Sequence, residues 1–489
     1  MPDLYTLLAF LTAIVVLVLL IARFKVHPVA TLFIVVVTLG LVLGMGGAET
    51  VELVTTGFGN TLASVGLLVI FGCVLGKMLE LSGAAMKITE TALRLFSENK
   101  VPWAIALAST VLGIPLIADT AVVMLIPIVS ALAYRTGISM MKLGPILYLG
   151  AYIMTSVIPP GPGPLASASL LGVSMGEAIL YGLMVGIPSV AAATFYLSRT
   201  KTYVPPKPEF VEHLSAASAG ASESATVGGG GGGGGSAGAG GSGTSGGEGS
   251  AEGTGTGTGT SDQSAVPATV GLTGSLLPIL APIVLIVFAS IAGPLLPEGS
   301  WVTDTVLFIG EPTIALFLAC VLALPLFRGR WKDKSTLNDL FEAGIRLAAM
   351  PMALTGVGGA LATIIRETGV AENVASGIES TGMSPIIIPF LVAAAVCTIT
   401  GSNILGVMTS AAIMQPLLPS LDLQPLVVYL ACASGAQIMK HANSSGFWVT
   451  TTLSNMTVGQ GIRSIGVASL ISGVTGFIVL NIMVATGVV

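Results

Sequence analysis

The sequence predicts an all-α polytopic membrane protein made of two inverted repeats. Each repeat has about five transmembrane helices plus a helical hairpin, with broken helices at the centre. Three observations support this fold class: scarce charge, the order of the apolar segments and a weak internal similarity. Charged residues are 9% of the 489 residues, hydrophobic residues are 53% and the mean hydropathy is +0.92. So few charges cannot give a chain of this size a water-compatible surface.

The composition also excludes several classes of protein. The formal net charge of −5 offers no surface for a polyanion, so no nucleic-acid partner is expected. The four cysteines lie in apolar segments without a CxxC spacing or a Cys/His pair, so neither disulfides, a metal site nor another cofactor is expected. Residues 4–22 lack the basic start and the clear cleavage site of a signal peptide, which predicts a first transmembrane helix.

A stretch rich in glycine, serine and threonine divides the chain. It includes eight consecutive glycines at 228–235 and four Gly-Thr pairs at 253–260, and it can bury almost no apolar area. We therefore predict three parts: a first transmembrane repeat (1–204), a flexible cytoplasmic tether (205–267) and a second transmembrane repeat (268–489).

Each repeat carries six apolar segments in the same order. They are 4–22, 28–47, 60–79, 101–134, 143–164 and 178–198 in the first, and 275–296, 303–327, 345–365, 385–421, 425–447 and 464–488 in the second. Five of the six can each cross a bilayer once. The fourth is longer and carries helix breakers, so it is predicted to be a hairpin that returns to the same face. Because five crossings are an odd number, the second repeat must be inverted.

Basic residues and glycine matches support this topology. Gly72 and Gly358, and later Gly176 and Gly459, match at nearly the same offset. Apart from Arg366 and Lys440, all of the 19 lysines and arginines fall on one side of the predicted membrane. The positive-inside rule then places the tether in the cytoplasm and both termini outside the cell membrane. This split is the same whether the hairpins are re-entrant or fully spanning.

The site is predicted where polar groups and helix breaks occur at membrane depth, because both are costly there unless they have a function. Asp119 follows the break of the first hairpin, where it could also cap a helix, a role that is compatible with transport. PPGPGP at 159–164 and ANSSGF at 442–447 occupy equivalent places in the two repeats. The helix N-termini at such breaks suit a substrate carboxylate, and Ser and Asn side chains suit its hydroxyls. Helix capping and interhelical hydrogen bonding are the alternative role of those side chains.

We therefore predict a central site for a small organic anion, between two hairpin tips and two unwound helices. The predicted substrate-binding residues are Asp119, Thr120, Pro160, Gly161, Gly163, Gly401, Ser402, Asn403, Lys440, His441, Asn443, Ser444 and Ser445. Asp119 and His441 are the candidates for carrying a coupling proton, since a histidine titrates near neutral pH. Lys440 is expected either to hold charge for the anion or to reach away to the interface.

The residues at these breaks resemble those of the gluconate permeases, proton-linked sugar-acid symporters of the broader ion-transporter superfamily. The matching stretches are FGCVLGKMLELSGAA from Phe71, GIPLIADTAVVMLIPIV from Gly113, VIPPGPGPLASA from Val157, HANSSGFW from His441 and TVGQ from Thr457. The resemblance covers both hydrophobic halves and excludes the tether. It implies uptake of gluconate or a related hydroxy-carboxylate, driven by the proton gradient. It also matches Asp119 to the family's acidic position, and His441 and Asn443 to its HxN motif.

The chain departs from that family pattern at three positions. Gly161 replaces a histidine, Ser444 replaces an acid, and Lys440 stands where a small polar residue is usual. Two titratable groups are missing and one cation is added, which leaves the substrate and the coupling ion open. Ser402 and Asn403 resemble the Ser-Asn motifs of sodium-coupled dicarboxylate relatives, so sodium coupling is the main alternative.

Two other classes of function remain weaker alternatives. A membrane-embedded enzyme would need paired aspartates, an HExxH motif or a serine with a base, and the chain has a single deep carboxylate and no HExxH. A channel would need a ring-forming filter repeat, which the two unlike breaks do not supply. Repeat transporters of this type are often dimers, so a homodimer is also considered, although the sequence indicates no contact face.

Overall fold

The computed structural model of the chain describes residues 4–24, 26–95, 100–211, 271–297, 299–328, 332–368, 384–441 and 444–489. Over these residues the secondary structure is helical, without a β-strand. Seven of the described helices are long and apolar enough to cross a membrane, or up to nine spans if each of two bent pairs counts as one. The predicted all-α membrane protein is therefore confirmed.

The first half places its helices close to the predicted segments. They are α1 (Leu4–Ala22), α2 (Pro28–Val42), α3 (Gly47–Leu81), α4 (Ala84–Leu95), α5 (Val101–Gly113), α6 (Ala118–Thr136), α7 (Met140–Val157), α8 (Pro162–Leu171) and α9 (Met175–Ser198). We call the pair α5 and α6 hairpin 1; its turn contains Pro115, which cannot donate a helical hydrogen bond. The predicted break at PPGPGP separates α7 from α8.

The second half repeats this order. Its helices are α10 (Leu272–Ala292), α11 (Trp301–Gly310), α12 (Pro312–Ala323), α13 (Lys334–Glu367), α14 (Ile387–Thr400), α15 (Asn403–Met414), α16 (Pro425–Gly435), α17 (Ser445–Leu453) and α18 (Val467–Ala485). Short helical turns lie at Pro208–Phe210, Gly293–Leu295, Leu324–Phe327, Gln415–Leu417, Leu418–Leu421, Val458–Gly461 and Ile462–Gly466. We call the pair α14 and α15 hairpin 2. The second broken helix consists of α16 and α17.

The two halves pack on each other reciprocally. The long helix α3 lies against its counterpart α13, and α9 lies against α18. Hairpin 1 packs through α6 on α17, which belongs to the broken helix of the second half, and hairpin 2 packs through α15 on α8 of the first half. Such an exchange is what a two-fold relation between the halves requires. The inversion of the halves relative to a bilayer stays a prediction.

Three elements differ from the sequence-based expectation. Helix α3 begins at Gly47 and not near residue 60, and it is bent by 50° between its two parts. The predicted span 303–327 is two helices bent by 68°, because Pro312 has no N–H for the ladder. Glu311 lies at this bend and accepts a hydrogen bond from the Ile314 N–H at 3.0 Å. Helix α4 was not predicted as a separate element.

The segment predicted as a tether begins as packed chain. Val204 N–H donates to Ser139 Oγ at 2.8 Å, and the Pro205 carbonyl accepts from the Asn455 side chain at 3.3 Å. Pro206 and Val211 are buried. The packed first half therefore extends to Val211, past the predicted boundary at residue 205. The remainder of the predicted tether, 212–267, lies outside the described residues.

Small residues allow α3 and α13 to approach closely. A Cβ atom added to Gly57 would lie 2.6 Å from Thr363 Oγ1 and 2.9 Å from the backbone of both Gly359 and Ala360. Close contacts of this kind are a main source of helix association within membranes.

We therefore predict that Gly57→Ala destabilises the protein, whereas Gly59→Ala in the same helix does not. Overpacking at Gly57 should cost about 1–3 kcal/mol. Gly59 is exposed, with nothing within 4 Å of an added Cβ, so alanine there should stabilise the helix. Thermal unfolding of the two purified variants in detergent measures the difference, and equal melting temperatures would contradict this account of the packing.

Candidate substrate site

Asp119 joins hairpin 1 to the second half of the chain. It lies in the first turn of α6, and the Ser445 hydroxyl donates to its Oδ2 atom at 2.5 Å. The N-cap of α6 is Ile117, without a side-chain cap, so Asp119 does not have the alternative role of N-cap residue. A Cβ on Gly446 would lie 2.4 Å from Asp119 Oδ1 and 2.5 Å from the Tyr148 hydroxyl. Only glycine fits at this contact between α6, α7 and α17.

Hairpin 2 turns at Gly401, Ser402 and Asn403. Gly401 has φ +72°, the left-handed conformation that ends α14, and the Ser402 hydroxyl accepts from the Leu405 N–H at 3.3 Å. The Asn403 side-chain amide donates to the Ser156 hydroxyl at 2.8 Å. Because Ser156 is in α7, this bond joins the tip of hairpin 2 to the broken helix of the first half.

The break between α7 and α8 is buried against both neighbours. Pro160 and Gly161 form the turn, and Gly161 precedes the first residue of α8. The Pro160 carbonyl lies 2.9 Å from where a Cβ of Gly72 would be, and a Cβ of Gly163 would lie 3.2 Å from Ile404 Cα. The turn thus sits between α3 and the tip of hairpin 2.

The unwound stretch after α16 carries the two basic residues of the site. Lys440 is 2% exposed; its ammonium donates to the Gly401 carbonyl and lies 4.6 Å from the centre of the Tyr152 ring. His441 Nε2 lies 3.1 Å from the Thr398 carbonyl oxygen. Because a carbonyl only accepts, this nitrogen carries the hydrogen. Both side chains hold the stretch to the C-terminal end of α14, where the helix dipole is negative.

Two buried tyrosines donate hydrogen bonds to backbone carbonyls at the breaks. Each tyrosine belongs to one half of the chain and donates to a carbonyl of the other half. Tyr152 on α7 donates to the Ala436 carbonyl at 2.6 Å, directly after α16 ends. Tyr429 on α16 donates to the Val157 carbonyl at 2.6 Å, where α7 ends. The sequence reasoning missed both. The pattern that could have identified them is a tyrosine shortly before each break, in a chain with only 6% aromatic residues.

A threonine plays the corresponding part at hairpin 1. The Thr155 hydroxyl on α7 lies 2.9 Å from the Gly113 carbonyl and 3.1 Å from the Leu116 carbonyl, at the end of α5 and in the following turn. Its single hydrogen is shared with the Ala151 carbonyl of its own helix, at 2.8 Å. This residue was also missed from the sequence. It fastens the tip of hairpin 1 to the broken helix of the same half.

One polar cluster brings together four of the predicted residues: Asp119, Lys440, Ser444 and Ser445. Tyr148 and Tyr152 stack with ring centres 5.4 Å apart, and Tyr148 lies beside buried Ser444, which precedes α17. Asp119 is near enough to Lys440 for their charges to interact. The stacked tyrosines therefore lie between the Asp119 side of the cluster, next to hairpin 1, and the Lys440 side, next to hairpin 2.

The remaining predicted residues have different outcomes. Thr120 lies half-buried in the same turn as Asp119. Asn443 lies outside the described residues. In the part of the chain that the structure describes, no group of three or more His, Cys, Asp or Glu side chains is placed to hold a metal ion.

With this geometry established, comparison with known proteins identifies the family. The profile described as GntP family permease matches residues 5–228 and 253–486. The chain belongs to this family. The interruption of the match, 229–252, falls inside the predicted tether. The resemblance to gluconate permeases inferred from the motifs is confirmed.

Individual relatives support the assignment over nearly the whole length. The chain is 30% identical to a gluconate permease of Pseudomonas aeruginosa, with 98% of each chain covered. It is 27% identical to a high-affinity gluconate transporter of Escherichia coli, covering 96% of this chain and 98% of the relative. Among solved structures, the YdaH transporter of Alcanivorax borkumensis matches with a TM-score of 0.60 at 14% identity, covering 94% of this chain and 98% of that one. That likeness concerns the fold alone.

We predict that removing the hydroxyl of Tyr429 destabilises this GntP permease more than removing the hydroxyl of Tyr152. Tyr429→Phe leaves the buried Val157 carbonyl without its tyrosine donor and should cost about 1–3 kcal/mol. Tyr152→Phe should cost less, because the Cys397 thiol also donates to Ala436, at 2.8 Å. Thermal unfolding in detergent measures both, with Tyr203→Phe, where the side chain is 59% exposed, as the control. A melting temperature of Tyr429→Phe equal to that of the control would refute the role of the hydroxyl.

Proposed function

We propose that this GntP permease imports gluconate or a related small hydroxy-carboxylate across the cell membrane by proton symport. One observation carries the proposal: Asp119 of hairpin 1 is bonded to Ser445 at the start of α17, so the interrupted segments of both halves share one polar cluster. The permease family and the gluconate transporters among its relatives supply the substrate class. Membership of a permease family favours transport over the enzyme and channel alternatives.

The substrate carboxylate is proposed to bind at the N-terminal turn of α17. Ser444 precedes this helix without a side-chain cap, so the first backbone N–H groups keep their capacity to bind an anion. The exposed Ser445 hydroxyl stands beside them, next to the half-buried Asp119. The hydroxyl groups of a sugar acid would be held by neutral donors and acceptors such as Asn403 and Ser402. Asn443 is proposed as a further contact from the family motif.

Asp119 and His441 are proposed as carriers of the coupling proton. Asp119 is partly exposed, so a proton can reach it from the solvent-accessible side of the cluster. His441 uses Nε2 for the Thr398 carbonyl, which leaves Nδ1 as the nitrogen that can take up a proton. Sodium coupling is the alternative, since the Ser402 and Asn403 side chains at the tip of hairpin 2 carry oxygens that can also bind a cation.

Alternating access is proposed to move one packed unit relative to the other. Each hairpin rests on the broken helix of the opposite half, so a shift of either hairpin changes the surroundings of the same cluster. Two such units around one central site can expose it to each side in turn.

Uptake of labelled gluconate into proteoliposomes tests the proposed function. With a proton gradient imposed and sodium absent, we expect accumulation above the external concentration, and no further gain from a sodium gradient. Accumulation that requires sodium would establish the alternative coupling ion. Uptake indifferent to both gradients would remove coupled transport altogether.

We predict that Asp119→Asn abolishes gradient-driven accumulation while leaving the fold intact. The asparagine oxygen can still accept the Ser445 hydroxyl, but it cannot carry a proton. The control is Asp304→Asn, since Asp304 also lies in the first turn of a helix but is exposed and outside the cluster. Detergent melting curves check folding and the proteoliposome assay checks accumulation. Near-normal accumulation by Asp119→Asn would remove Asp119 from the coupling mechanism.

A further inference from the structure

Lys440 is a buried basic residue to which the proposed transport mechanism assigns no role. Among the residues that the structure describes, it is the only charged one in the buried class. None of the ion pairs within the described part of the chain includes it. A buried amine is costly in its charged form unless other groups compensate. Its position therefore points to a function that uses the change of charge.

We propose that Lys440 is a coupling residue: its ammonium form fastens hairpin 2 to the unwound stretch, and release of its proton frees that fastening. The inference deepens the proposed function and rests on it. In the structure the ammonium points at the hairpin carbonyl of Gly401. Lys440 is thereby assigned to the hairpin and not primarily to the substrate carboxylate.

The strength of the contact between Lys440 and the Gly401 carbonyl depends on whether the amine is protonated, because this carbonyl lies at the end of a helix. Gly401 follows the last residue of α14, and the final carbonyls of a helix lack intrahelical donors. The partial negative charge of the helix end favours an ammonium there. A neutral amine would keep a weaker hydrogen bond and lose the charge interaction.

The corresponding contact at hairpin 1 has no such dependence. There the carbonyl of Gly113, at the end of α5, meets the neutral hydroxyl of Thr155 at 2.9 Å. A hydroxyl stays uncharged at any physiological pH, whereas a buried lysine can change its charge. Of these two fastenings, only the one at hairpin 2 is under the control of a proton.

The neighbours of the ammonium explain why the anion and the proton travel together. The titratable groups facing Lys440 are the Asp119 carboxylate, the Cys397 thiol, the Tyr152 hydroxyl and the adjacent His441 ring. Asp119 interacts with Lys440 across a distance and forms no ion pair with it. An organic anion entering the cluster adds the missing negative charge, so it favours the protonated amine, and the ammonium in turn favours the anion.

The transport step balances in protons and charge. On the outer side, Asp119 and His441 pass one proton to the neutral amine of Lys440, which becomes an ammonium while one anion binds. After the change of access, the anion leaves, the ammonium returns its proton to the cytoplasmic side and the neutral amine remains. No covalent bond other than N–H forms or breaks, and one proton accompanies each singly charged anion.

Two substitutions of Lys440 test the proposal in proteoliposomes. Arginine keeps the charge but does not release its proton, and methionine never carries one. We expect Lys440→Arg to exchange internal for external labelled gluconate within about threefold of the wild-type rate. Its accumulation driven by a pH gradient should fall at least about tenfold. Lys440→Met should also lose accumulation.

The control variant is Lys142→Arg, which makes the same change on α7 outside the cluster and should retain both exchange and accumulation. Wild-type accumulation is measured first, so that a failure of the proposed function appears before any variant is tested. The proposal is supported if neither Lys440 variant accumulates and at least one of them still exchanges. It is overturned if either variant accumulates like the wild type, or if both lose exchange together with accumulation.

Discussion

The rest of the structure depends on one constraint: a helix interrupted at membrane depth must find partners for the carbonyls that it leaves open. This chain meets the constraint reciprocally. Tyr152 of the first half donates to the Ala436 carbonyl, and Tyr429 of the second half donates to the Val157 carbonyl. The Ala436 carbonyl also accepts from the Cys397 thiol of its own half, at 2.8 Å, whereas the Val157 carbonyl has its tyrosine donor in the other half. The backbone at the centre is therefore complete only when the two halves are packed together.

The same rule of supplying donors to open carbonyls extends to the hairpins and explains why the site lies there. The Thr155 hydroxyl lies within hydrogen-bonding distance of the Gly113 carbonyl at the end of α5, and Lys440 donates to the Gly401 carbonyl directly after α14. Once these carbonyls are satisfied, the N-terminal turn of α17 still offers anion-binding groups, next to Asp119. The need to supply donors to open carbonyls thus brings the polar groups together. The N–H groups at the start of α17 that are not used in this way are available to a ligand.

The sequence predicted the two hairpins and the two broken helices because their causes are local. Pro115 and the PPGPGP stretch interrupt helices whatever surrounds them. The sequence did not predict α4, the bend at Glu311 or the early start of α3, because hydropathy alone does not locate bends or amphipathic turns. Contacts between halves far apart in sequence, such as that of Ser445 with Asp119, leave no local pattern to read.

The departures from the family pattern are consistent with one another once the contacts are known. Gly161 lies in a turn where a Cβ would come within 3.1 Å of the Thr155 carbonyl oxygen, so a larger residue there would need a different local backbone. Ser444 is buried beside Tyr148, where an acid would add a second negative charge near Asp119. With serine at that place, the formal charges of Asp119 and a protonated Lys440 cancel. Because the proton that Lys440 takes up balances the charge of the bound anion, the net charge of the cluster is the same before and after binding.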